Sequence, residues 1–127
     1  MKLNFFFLAA LLIVVMSCIS GPVYIPEDMP PTKIIQLGQE ATDGNKYKIA
    51  IQYYETLLER HGHIGEYYCT GEYEIAFIRY KQKRYAEARR GFENLLALYN
   101  EPGGNALPPQ FRVLSEIVLA RMNEKGF

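Results

Sequence analysis

The sequence predicts an all-α chain built of antiparallel helix pairs, and three observations carry that prediction. Beyond residue 32, apolar residues recur at three- and four-residue steps, the spacing of one helix face. Strand-type alternation of apolar and polar residues is scarce. The chain also repeats itself at an offset of 38 residues: Tyr47, Ala50, Tyr54 and Leu57 return as Tyr85, Ala88, Phe92 and Leu95, with the same steps of three, four and three. Two helix pairs followed by one C-terminal helix satisfy all three.

The elements follow in order. Thr32 is placed to cap a first helix, in which Ile34, Leu37, Gly38 and Ala41 share a face and which Asp43-Gly44-Asn45 ends. A second helix is expected from about Lys46 to Arg60, a third from Glu66 to Lys83, a fourth from Tyr85 to Tyr99 and a fifth from about Pro109 to Asn123. Their connections are His61 to Gly65, a tight turn near Arg84, and Asn100 to Pro108, where Pro108-Pro109 suits the start of a helix because proline lacks a donor that would be unpaired there anyway. Phe111, Leu114, Val118 and Met122 give the fifth helix one apolar face. That face reads as a cap over the second repeat. The helix also reads as the first half of a third repeat, whose outer face with Val113, Ile117 and Ala120 then wants a partner.

The repeat has a packing reason. Gly38 and Ala50 in one copy, and Ala76 and Ala88 in the other, set small side chains where two antiparallel helices cross, so that the backbones approach closely while aromatics fill the flanks. The pattern resembles the tetratricopeptide repeat and implies a tetratricopeptide-like α-α superhelix. The plainer reading of the same spacing is an ordinary bundle of helical hairpins.

The N-terminus carries an address. A single Lys2, an apolar run from Phe5 to Val15 and the small Ser17 have the proportions of a secretory signal, too short for a dependable membrane span of about 20 residues. Val15-Met16-Ser17-Cys18 resembles a bacterial lipobox, which implies a diacylglycerol on Cys18 and cleavage just before it. The alternatives are a signal in which Cys18 is a bystander and a single-pass anchor. Ile19 stands where an Asp would signal inner-membrane retention, so the expected location is the outer membrane, lipid-anchored and facing the periplasm. The chain then divides into a signal at 1–17, a lipidated cysteine and proline-rich tether at 18–31, and a helical domain at 32–127. Pro22, Pro26, Pro30 and Pro31 predict that the tether runs extended and lifts the domain off the bilayer.

Tether and first repeat together carry a closer resemblance. Pro26-Glu27-Asp28-Met29-Pro30-Pro31, then Ile34, Gln39, Asp43-Gly44-Asn45, Tyr47, Ala50-Ile51 and Leu57, resemble the start of the BamD family of lipoproteins, components of the β-barrel assembly machinery. The resemblance covers roughly residues 18 to 100. It implies a non-catalytic subunit whose protein partners are barrel precursors or other barrel-assembly subunits. Family members carry further repeats, the last of which dock the central barrel subunit; this chain shows two repeats and one helix. A scaffold for cell-wall, division or secretion proteins is the alternative function.

Other classes find little footing. With 14 basic and 14 acidic residues the chain lacks the cationic excess that nucleic-acid binding uses. His61 and His63 have no third ligand near them in sequence, no phosphate loop or nucleophile elbow is present, and neither enzyme activity nor a cofactor is expected. Cys69 reads as a small buried hydrophobe. The expected partner site lies on the third helix, where counting back from Ala88 sets Thr70, Tyr73, Phe77, Tyr80 and Lys81 on the concave lining, with Thr32, Ile35, Gln39, Thr42 and Asp43 as counterparts in the first copy. Tyr73, Phe77, Tyr80 and Lys81 are the candidate partner-binding residues, suited to an extended peptide with an aromatic or acidic end. The competing role for Phe77 and Tyr80 is packing against the fifth helix or the tether.

Overall fold

A computed structural model of the protein describes residues 21–127; the signal segment, the lipobox and Cys18 lie outside the described residues. The described chain is all-α, with two helix pairs followed by a C-terminal helix. The helices are α1 (Pro31–Asp43), α2 (Tyr47–His61), α3 (Gly65–Lys81), α4 (Tyr85–Leu98) and α5 (Pro109–Glu124), with a short 3-10 turn at Gly104–Ala106. Each helix packs on the next in chain order, and α5 reaches α3 as well as α4. Among the described residues no helix is long and apolar enough to cross a membrane.

The two intra-pair turns are built alike, residue for residue. Asn45 and Lys83 both adopt left-handed backbone, at φ 57° and 61°. Behind them Lys46 N–H donates to the Ala41 carbonyl (2.8 Å) and Arg84 N–H to the Arg79 carbonyl (2.9 Å), the long closing bond of a Schellman ending. This is why α3 stops at Lys81 rather than at Lys83, where the helix was expected to end. Thr32 is not a cap either: Pro31 occupies the first helical turn after an extended Pro30, no side chain caps the helix, and the Pro30 carbonyl accepts from the N–H groups of Lys33 (2.9 Å) and Ile34 (3.1 Å).

Within each pair the crossing is close enough to require glycine on one side. A β-carbon added to Gly38 would lie 2.7 Å from Cζ of Tyr54, and one added to Gly91 would lie 2.8 Å from Cβ of Ala76. The bare position therefore sits on the first helix in one repeat and on the second helix in the other. Ala50, Tyr54 and Leu57 are fully enclosed, as are Ala88 and Phe92, so both repeat signatures are core. A third glycine, Gly71, lets α3 approach Leu58 of α2 and joins the two pairs.

The proline-rich segment does not stand free of the domain. Arg60 on α2 donates to the carbonyls of Pro26 (2.7 Å) and Ile25 (3.0 Å) and pairs with the exposed Glu27 carboxylate at 3.4 Å. Val23 N–H donates to Oε1 of Gln52 at 2.8 Å, and Ile25 is buried in the first core cluster with Val23 and Met29 packed beside it. Apolar burial and backbone hydrogen bonds thus strap residues 23–29 along the first helix pair.

The fifth helix is rotated from its expected setting. Ser115, Val118 and Met122 are buried, with Phe111 and Leu119 packed against the second cluster, whereas Leu114 is exposed beside Val113 and Ile117. Ser115 thus takes the inner-face place expected of Leu114 and is fully buried.

Three sets of substitutions check this structure. Ala50→Leu and Ala88→Leu are each expected to destabilise by about 1–3 kcal/mol in thermal or urea unfolding, with Glu55→Ala, on the exposed side of α2, staying within about 0.5 kcal/mol. Gly38→Ala should lower stability despite the higher helix propensity of alanine, and adding Tyr54→Leu should restore part of the loss. Lys83→Gly should raise stability by about 1 kcal/mol by relieving left-handed strain.

Candidate functional site

The candidate residues of α3 form an aromatic ribbon. Tyr73 stacks on Phe77 (centroids 6.0 Å apart, planes 10° apart) and Phe77 on Tyr80 (6.2 Å, 23°), as the three- and four-residue steps between them require. Tyr73 also meets Phe92 of α4 and Phe111 of α5, each at 5.7 Å. Beyond Tyr80 the ribbon continues edge-on to Tyr85 (5.8 Å), which stacks on Phe127 at 3.8 Å. Arg89 holds the chain end in place, donating to Asn123 Oδ1 at 2.8 Å and to the Phe127 carbonyl.

The four sequence-nominated residues thus occupy one ribbon, but they differ in access. Tyr73 is buried at 8% exposure and serves as a keystone of the second core. Phe77 and Tyr80 are half-buried, with one face on that core and the other outward. Lys81 is exposed, and its ammonium lies 5.9 Å from the centroids of both Tyr47 and Phe77, bridging the two repeats by cation–π contact. Phe77 and Tyr80 thus pack against the second core cluster while part of each side chain stays open.

Glu74 is the residue sequence reasoning missed at this site. It is half-buried on α3, one turn before Ile78 and two before Lys81. Burial pushes its carboxyl pKa up, Asp43 at the end of α1 pushes it further, and Lys81 opposes both. Beneath it lies Tyr54, whose hydroxyl is buried against Thr42 without a hydrogen bond of normal geometry; Thr42 itself donates to the Gly38 carbonyl at 2.9 Å. Burial, then the charge of Glu74, raise the Tyr54 phenol well above its ordinary pKa. In the sequence Glu74 was one of several acids interspersed with bases and carried no distinguishing spacing.

The histidines and the second cysteine sit elsewhere. The His61 ring lies edge-on to Tyr67 at 5.9 Å, while His63 is exposed and lines an open cleft of about 310 Å³ with Tyr68, Leu98, Glu101 and Leu107. Cys69 is buried, its thiol pKa pushed up by that burial, with the Tyr99 hydroxyl 3.8 Å from Sγ; that hydroxyl also donates to the Pro108 carbonyl at 2.6 Å. Among the described residues no group of three or more His, Cys, Asp or Glu is arranged to hold a metal ion.

The Glu74 environment has a measurable sign. Because its folded pKa is raised, the folded state holds this proton more tightly than the unfolded chain, so the contribution of Glu74 is favourable at low pH and is lost as pH rises through the folded value. Glu74→Gln is therefore expected to raise the melting temperature at pH 7, and the gap between variant and parent should close as pH falls below the ordinary glutamate value of about 4.3.

No protein-family model and no solved structure matches the chain. A protein of Treponema pallidum (strain Nichols), described only as an uncharacterized protein, is 31% identical over 98 residues. The aligned residues are 77% of this chain and 39% of that protein, so the chain spans about two fifths of the length of the relative it matches.

Proposed function

We propose that this chain is a non-catalytic interaction subunit, anchored by a lipid on Cys18 to the periplasmic side of a bacterial outer membrane, that binds protein partners during outer-membrane β-barrel assembly. The signal and lipobox pattern supports the anchor, and the resemblance of the tether and first repeat to the BamD family supports the pathway. The observation that carries the binding role is the α3 ribbon, where half-exposed Phe77 and Tyr80 stand beside the exposed Lys81 ammonium, which among the described residues has no carboxylate within ion-pair distance. Rigid aromatic faces supply contact area at low entropic cost, and a neighbouring cation recognises a carboxylate. The occupant that fits is an extended peptide with an aromatic or acidic end, such as an incoming barrel precursor presents before it folds.

The anchor and the site are tested separately. Cys18→Ala is expected to abolish fatty-acid labelling and leave uncleaved precursor, and labelling that persists in the variant rejects the anchor. For the site, a fluorescent peptide ending in phenylalanine with a free carboxylate is titrated against the protein. Lys81→Gln should weaken binding by about tenfold, or about 1.4 kcal/mol, and leave the melting curve of this exposed position little changed. Tyr80→Ala should lose binding while remaining folded; undiminished binding in a folded Tyr80→Ala protein removes the groove from consideration. Affinity purification then separates the pathways, with barrel-assembly subunits expected and wall-synthesis enzymes pointing to a scaffold.

A further inference from the structure

Beside the aromatic ribbon, the junction of α1, α2 and α3 gathers acids that the fold leaves without an ion pair. Asp43 closes α1, Tyr47 opens α2, and the Lys81 ammonium at the end of α3 lies 5.9 Å from the Tyr47 centroid, so α3 ends against the α1–α2 turn. Phe77 and Glu74 follow back along α3 on the Lys81 side, at steps of four and three. Among the described residues neither Asp43 nor Glu74 has a cation within ion-pair distance. For exposed Asp43 this costs nothing. For half-buried Glu74 it is unfavourable, because a carboxylate drawn out of water needs a partner in place of its hydration.

A second group at the junction is also unpartnered. Tyr54 is fully enclosed, the far end of its ring lies against Gly38, and its hydroxyl has no hydrogen-bond partner. The carboxylates whose charges act on this phenol are Glu74 first and Asp43 second. Buried polar groups are paired in folded proteins with few exceptions, so an orphan calls for a reason. Packing supplies none, as the protein's own repeat shows: at the offset of 38 residues Phe92 takes the place of Tyr54 and is equally enclosed without a hydroxyl, while Gln36 takes the place of Glu74. The oxygens of Tyr54 and Glu74 are therefore additions to the repeat rather than requirements of it.

We propose that Glu74 and Asp43, over the Tyr54 hydroxyl, form a subsite for a guanidinium group, carried as an arginine side chain by the peptide that lies on the α3 ribbon. The inference rests on the peptide-binding reading of that ribbon and extends it to a second, oppositely charged contact. A guanidinium fits better than an ammonium. It is planar, offers five donors in a fixed fork, enough for two carboxylates and a phenol oxygen, and gives up its hydration more readily. The Tyr47 and Phe77 rings, which already face the Lys81 ammonium at 5.9 Å each, give the guanidinium aromatic faces to stack on once a ligand carboxylate draws Lys81 aside. Position along the peptide follows from spacing. In an extended chain, side chains two residues apart point the same way about 6.6 Å apart, close to the rise of about 5.4 Å over the helical turn that separates Glu74 from the Phe77–Tyr80 rings. The arginine therefore stands two residues before the aromatic end.

The probes are two fluorescent peptides with free carboxylates, one ending in Arg-Ser-Phe and the other in Gln-Ser-Phe, titrated against the full chain. The arginine peptide is expected to bind about tenfold tighter, or about 1.4 kcal/mol. That advantage should disappear in Glu74→Gln and shrink in Asp43→Asn, while the glutamine peptide binds parent and variants alike. Melting curves exclude unfolding as the cause, since Glu74→Gln is expected to be no less stable than the parent at pH 7 and Asp43 is exposed. Equal affinity of the two peptides for the parent overturns this inference and leaves the ribbon standing as a peptide site. Binding by neither overturns both. An arginine preference that survives in Glu74→Gln and Asp43→Asn assigns it to general electrostatic attraction and overturns the subsite, and a Lys-Ser-Phe peptide that binds as tightly as Arg-Ser-Phe overturns the choice of guanidinium.

Discussion

The fold depends on how near two helices of a pair can come. In each repeat the second helix buries a large aromatic, Tyr54 or Phe92, and each crossing has one position where a β-carbon would collide with the facing helix. Gly38 supplies that position beneath Tyr54, and Gly91 supplies it opposite Ala76. Because an interior is packed like a crystal, a single methyl group there has nowhere to go. The enclosure of Ile34, Ala50 and Leu57 goes with that separation, and Gly71 sets the like approach of α3 to Leu58 between the pairs.

Helix number, order and the burial of the two matching sets around Ala50 and Ala88 were legible in the sequence, because an apolar face at helical period has few other solutions. Helix ends were less so. Lys83 takes a left-handed conformation that a lysine does not advertise, and Pro31 rather than Thr32 opens α1 because the following donors are already accounted for. The rotation of α5 was hidden for a similar reason: Leu114 and Ser115 are neighbours, and hydrophobicity alone favours burying the leucine, whereas the tight approach to α4 selects the smaller side chain. At the candidate site, the aromatics could be placed on one face of α3, but their division between core and surface could not, since it depends on Phe111 and Phe92 arriving from other helices. Glu74 acquires its character from burial first and then from Asp43, more than thirty residues away in the chain.

The lining and the core are thus one continuous aromatic stack rather than a binding surface laid over a scaffold. Tyr73 touches both Phe92 inside and Phe77 at the rim, so a ligand resting on Phe77 and Tyr80 rests on side chains whose positions are already determined by packing. Such a surface needs little ordering when a partner arrives, which favours affinity without large contact area. Its cost is that few residues in the stack can vary without disturbing stability.

The strap at Val23–Met29 changes what the proline-rich segment is for. Arg60 and Gln52 grip its backbone, so the first residue held on the domain is Val23, five residues beyond Cys18. A fully extended chain covers at most about 3.6 Å per residue, which leaves a leash of about 18 Å between those two points. With Cys18 anchored in a bilayer as proposed, that reach keeps Val23 close to the surface. The first helix pair would then ride at headgroup height, with Tyr24, 87% exposed and adjacent to the mooring, within reach of the interface where tyrosine is favoured. The protein would behave less like a float on a long line than like a bracket, with one end of its helical stack kept to the membrane and the other end, at α5, held out toward the aqueous side.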